Sequence, residues 1–190
     1  MSILVLTSDT LIGTPAAGNI EYNGQFFGTD SNASRAQLQR IVRSTAVAST
    51  SGTSIDFTGI PAWVEKITVM LSGISTNGTA NYLIQIGSGS VTTSGYLGAG
   101  GSTGGISNFT TGFGVAAGAA SVVMHATMTI TNVSGNIWLA SHVGGRSDAA
   151  AVTFGGGSVT LSGVLDRVRI TTANGTDAYD AGSINLLLEG

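Results

Sequence analysis

The chain of 190 residues carries few side chains able to do chemistry, and their spacing limits what that chemistry could be. It has no cysteine, which excludes a disulfide framework, a thiolate zinc site and a cysteine nucleophile together. His125 and His142 are the only histidines, and neither has a His or Cys partner at the spacing a zinc site uses. Both read as hydrogen-bonded strand residues. Asp177 and Asp180, in "NGTDAYDAG", offer the hard oxygens that calcium takes, but not at the spacing of an EF-hand loop. A turn rich in Asp and Asn is the expectation there, because these residues tolerate tight turns. A looser cation site using backbone carbonyls is the alternative. Ten acidic residues are present, yet no spacing selects a carboxylate pair for glycoside cleavage. No serine sits in a G-x-S-x-G elbow. "GAGGSTGG" lacks the lysine of a phosphate-binding loop. The expectation is a non-enzymatic protein with no cofactor and no metal.

Other residues suit contact better than catalysis. Arg167 and Arg169, in "LDRVRIT", alternate with Val168 and Ile170 and so project from the opposite strand face. A guanidinium forks a carboxylate bidentately, so Asp56, Glu65 or Asp180 could pair with them, within the chain or across subunits. Trp138 has the parity opposite to Ile137 and Leu139, which predicts that it faces outward or into an interface. Trp63, after Pro61, is expected to close one end of the domain. Ile20, Tyr22, Phe26 and Phe27 flank Asn23-Gly24, a strong signal for a tight hairpin turn. Two strands that short cannot bury a core of their own, so these four residues are expected to anchor the hairpin on something else.

Composition narrows the partners. Charged residues make up 9% of the chain, against roughly 25% in an average soluble protein. Lys66 is the single lysine, and the net charge of −3 gives no electrostatic footprint for nucleic acid. Ser, Thr, Asn and 29 glycines replace charge. Such a surface has few long side chains whose ordering would oppose close contact with copies of itself. No segment approaches the roughly 20 apolar residues that span a bilayer. "MSILVLTSDTL" lacks the basic start and longer apolar core of a signal peptide, so export by the usual route is not expected and the mature chain is expected to begin near Met1. Asn-x-Ser/Thr triplets begin at Asn32, Asn77, Asn108, Asn132 and Asn174, and are discounted as chance in so Ser- and Thr-rich a chain.

The elements that must position these residues follow from periodicity. "ILVL", residues 3–6, reads as a short buried strand. Ser34 and Gln37 have capping-box spacing, and Leu38, Ile41 and Val42 fall on one helical face, which predicts a short helix over 35–43. An extended linker is the competing reading. Residues 44–54 are small and polar and read as a joint. After them the period is 2. Ile67, Val69 and Leu71 alternate with Lys66, Thr68 and Met70, and Tyr82, Ile84 and Ile86 alternate with Leu83 and Gln85. Val122 through Ile130, then Val168 and Ile170, then Ile184, Leu186 and Leu188 each share a parity. Ile137, Leu139 and Val143 share a parity, and so do Val159 and Leu161. The fold class is all-β: an antiparallel, jelly-roll-like β-sandwich over residues 46–190, behind an anchoring segment over 1–45. Residues 73–80 and 98–120 are expected as loops, the latter too glycine-rich for strands throughout, although "NFTTGFGV" could be one that bends.

Two regions resemble known proteins. "LIGTPAAGNIEYNGQFFGTD", residues 11–30, is similar to a segment of bacteriophage tail-fibre-like proteins, where it precedes a distal domain. "IDFTGIPAWVEKITVMLSGISTNGTANYLIQIG" and "LDRVRITTANGTDAYDAGSINLLLEG" resemble a β-rich domain of phage virion structural proteins. The resemblance implies a virion component assembled in the host cytoplasm, commonly a homotrimer, that contacts other tail or capsid proteins and in some cases a host-surface glycan or protein. A tail-fibre or tail-appendage part is the first expectation. A head decoration protein is the second and a polysaccharide-degrading tail enzyme the third. The family usually carries a shaft ahead of these elements, whereas here the hairpin comes almost first.

Overall fold

A computed structural model describes residues 10–190, except Ile12, Pro15 and Gly24, and every regular element among them is a strand. The strand expected over 3–6 lies outside the described residues. The fold divides into two compact units, one ending at Arg40 and the other running from Ile41 to Gly190.

The first unit is an antiparallel three-stranded sheet of β1 (Ile20–Tyr22), β2 (Phe26–Thr29) and β3 (Arg35–Gln37), in that order. Tyr22 pairs with Phe26, so residues 23–25 form the connection. That is one residue longer than the two-residue turn Asn-Gly favours. The next connection is held by Asp30, whose Oδ1 accepts the N–H groups of Asn32 and Ser34, each at 2.9 Å. The helix expected over 35–43 does not form. The Ser34 N–H is engaged by Asp30, and β2 offers Arg35, Ala36 and Gln37 a ready ladder. An isolated helix of nine residues is too short to compete with such pairing.

The second unit opens with β4 (Ile41–Arg43) and β5 (Val47–Ala48), and continues with β6 (Ser54–Thr58), β7 (Lys66–Thr76), β8 (Tyr82–Ser88), β9 (Ser90–Val91), β10 (Leu97–Ser102) and β11 (Gly105–Phe109). Then come β12 (Phe113–Val115), β13 (Met124–Ser134), β14 (Ile137–Arg146), β15 (Val152–Thr160), β16 (Arg167–Thr172) and β17 (Tyr179–Glu189). The larger sheet runs β11-β10-β15-β14-β13-β7-β17-β4, with β5 also on β17, and the smaller runs β12-β8-β16-β6, with β9 on β8. The chain crosses repeatedly between them, at β5 to β6, β6 to β7, β7 to β8, β9 to β10, β11 to β12, β12 to β13, β15 to β16 and β16 to β17. The result is the expected antiparallel sandwich. Its core is the set of inward positions that the period of 2 picks out. Ile67 and Val69 of β7, Ile84 and Ile86 of β8, Met128 and Ile130 of β13, and Val168 and Ile170 of β16 are each at most 1% exposed.

Three stretches differ from their sequence reading. Residues 44–54 are no free joint, because β5 pairs with β17 and the Ser49 hydroxyl donates to Ala181 O at 2.8 Å. Residues 73–76 finish β7, leaving only a short loop after it. Residues 98–120 hold the β10–β11 hairpin and β12. Glycine serves the pairing there. A Cβ on Gly98 would lie 2.6 Å from Gly156 O, and one on Gly157 would lie 2.7 Å from the Gly98 Cα. β10 and β15 approach this closely only because both strands are bare of side chains at these points.

Candidate interaction surface

The residues singled out for chemistry are occupied with structure. Gly73 N–H donates to His125 Nδ1 at 3.2 Å, and His125 Nε2 lies 3.3 Å from Ser147 Oγ. His142 is buried, with Nε2 3.3 Å from Thr153 Oγ1. The Thr153 hydroxyl spends its one proton on Gly101 O, at 3.0 Å, so His142 Nε2 must be the donor. Burial lowers the His142 pKa to about 4, so the ring is neutral. Asp177 staples two loops: it accepts Asn174 Nδ2 at 2.6 Å and Ala80 N–H at 2.9 Å, bonds that hold its carboxyl below the usual range. Asp180 is exposed on β17, and no cluster of three or more His, Cys, Asp or Glu residues occurs among the described residues.

Both arginines find carboxylates within the chain. Arg169 forks Asp56 with bonds of 2.7 and 2.8 Å across the β16–β6 ladder. Arg167 forks its neighbour Asp166, whose other contact is Gly89 N–H at 3.1 Å. Each pair is about a third exposed on at least one side and belongs with surface pairs worth roughly 0–1 kcal/mol. Trp63 packs half-buried against the core.

Trp138 corrects the sequence reading. It is 3% exposed, while Ile137 and Leu139 are 42% and 53% exposed. Register explains the inversion. Trp138 pairs with Val159 and Ala140 pairs with Ile130, both buried, so the Trp138 parity of β14 is the inward one. Of the hairpin anchors, Ile20, Tyr22 and Phe26 share one face of the small sheet, with the Tyr22 and Phe26 ring centroids 5.0 Å apart. Phe27 lies on the other face with Glu21, which is ion-paired to Arg35 at 2.8 Å. Ile20 is 71% exposed.

The larger sheet therefore turns an apolar face to solvent. Across the register from β11 to β13, the outward positions carry no Asp, Glu, Lys or Arg. One row crossing the strands reads Ile106, Gly101, Phe154, Val143, Thr127 and Met70. Two residues along the strands lies a row of small side chains: Asn108, Ala99, Gly156, Ser141, Thr129 and Thr68. A further row brings Leu97 and Leu139. At the β13–β7 end of the first row is a shallow dent of about 310 Å3, lined by Met70, Leu71, His125, Ala126, Thr127 and Val143. The bulge between Met124 and Ala126 opens it. Sequence reading missed this face because it assigned Ile137, Leu139 and Val143 to the interior. The available signal was the size of Trp138, which needs a deep site that a solvent face cannot supply.

The outer side of the smaller sheet differs. Its groove of about 340 Å3 is lined by hydroxyls and amides, including Ser54, Gln85, Thr171 and Asn174, with Arg169 at its wall. Neither this groove nor the dent is lined by an acidic residue. No protein-family model, curated protein or solved structure matches this chain.

Proposed function

We propose that the protein is a non-enzymatic structural component of a bacteriophage particle, placed on the tail as a fibre or appendage part. The broad uncharged face of the larger sheet carries the structural half of this reading. Contiguous exposed apolar surface on a folded domain marks a packing surface, and here it is built from Leu139, Val143 and Phe154 on rigid strands. The resemblance of residues 11–30, 55–87 and 165–190 to phage virion proteins supports the placement. These segments supply strands β1 and β2 of the small sheet and nearly all of β6 to β8, β16 and β17, which are framework. The mechanism is adhesive: apolar surfaces on the small sheet and on the sandwich are buried against other virion chains.

Gold-labelled antibody on intact particles carrying the gene, viewed by electron microscopy, tests this reading. Label confined to the tail is expected. Label spread over the head would make the chain a capsid decoration protein. Particles free of label, while antibody to a known surface protein binds them, would overturn the virion reading.

A further inference from the structure

We infer that the outer face of the larger sheet packs on the same face of a second copy of this chain, about a two-fold axis running along the strands between β15 and β14. The first row of the face is self-complementary about that line. Counting strands from the edge, the axis exchanges β11 with β7, β10 with β13 and β15 with β14. Ile106, 69% exposed on β11, is carried over the dent between Met70 and Thr127 of the other copy. Phe154 is carried over Val143, and each contact occurs twice, as a two-fold requires. The row of small residues beside it, Ala99, Gly156 and Ser141 among them, lets the two backbones approach. Facing sheets pack with strands within about 30° of each other, which a two-fold along the strands permits.

Charge and area identify the occupant. From β11 to β13 the face has no Asp, Glu, Lys or Arg, and on β7 its one charge, Lys66, is already paired to Glu189 at 3.0 Å, so a charged partner finds nothing to pair with. An uncharged flat surface is what it fits, and a second copy brings one. The overlap of β11 with β7, β10 with β13 and β15 with β14 is limited by the shorter strand to five, six and nine residues. At ~4.8 Å between strands and ~3.3 Å per residue this covers roughly 600 Å2 per copy, or about 1,200 Å2 for the pair, the lower edge of the range for specific interfaces. This pairing stands apart from the placement on a phage particle, and either can fail without the other.

The full-length protein is weighed by size-exclusion chromatography with light scattering at micromolar concentration. The wild type is expected at twice the chain mass. Val143→Glu and Ile106→Glu are expected as monomers with unchanged circular dichroism, since both side chains are solvent-exposed in one chain. Val164→Glu, at an apolar residue 59% exposed outside this face, is expected to stay dimeric. A monomeric wild type overturns the pairing. So does a dimer that survives both face variants, and so does a mass of three chains.

Discussion

His142 is where pH reaches the core. Its ordinary pKa is 6.5, and burial lowers it to about 4 in the folded chain. Between those values the unfolded chain binds a proton that the native chain refuses, so stability rises with pH across that window and is lost as pH falls through it. Urea midpoints between pH 7 and pH 4 should fall with a slope approaching one proton, and His142→Gln should flatten it. Trp138 and Leu139 give a sharper contrast at the same scale. Trp138→Ala empties a buried site and should cost about 3–5 kcal/mol in chemical denaturation, whereas Leu139→Ala should change monomer stability by roughly 0.5 kcal/mol or less. A larger cost at Leu139 than at Trp138 would mean that the parity of β14 has been assigned backwards.

At the scale of elements, the β10–β15 pair depends on glycine. Gly157→Ala would put a Cβ 2.7 Å from the Gly98 Cα and should destabilise by about 1–3 kcal/mol. Gly145→Ala in β14 meets nothing within 4 Å and should be neutral or slightly stabilising by thermal melt. These strands also show where the sequence was legible. The period of 2 located β7, β8, β13, β16 and β17 with inward residues, because one parity of each is consistently apolar while the other is mixed, even where it carries Met70, Leu83 or Leu187. It misjudged β14, where both parities carry apolar residues and only pairing to Val159 and Ile130 decides which points in. The hairpin at Ile20 to Thr29 was readable from local turn chemistry. The strands at 35–37 and 41–43 were not, because their partners, Phe27 to Thr29 and Leu187 to Glu189, are set by tertiary pairing. For the same reason the arginines were legible as carboxylate partners. That the Arg169 partner is Asp56, 113 residues away in the chain, needed the β16–β6 register.

At the scale of the molecule, the two units differ in what they can do alone. Residues 41–190 enclose one hydrophobic core, and expressed alone they should unfold cooperatively. A peptide of residues 10–40 holds three short strands and should show a coil-like circular dichroism spectrum. Salt should act in an unusual direction. The packing face carries no charge beyond Lys66 at its rim, which is paired to Glu189, so sodium chloride should barely weaken the contact and sulfate should strengthen it. The most direct probe is hydroxyl-radical footprinting of the full chain, free at high dilution and assembled at high concentration or on particles. Leu139, Val143 and Phe154 should label readily when free and be protected in the assembly, while Val164 labels in both. Equal labelling of the first three in both states would contradict the assignment of this sheet face as the surface through which the protein works.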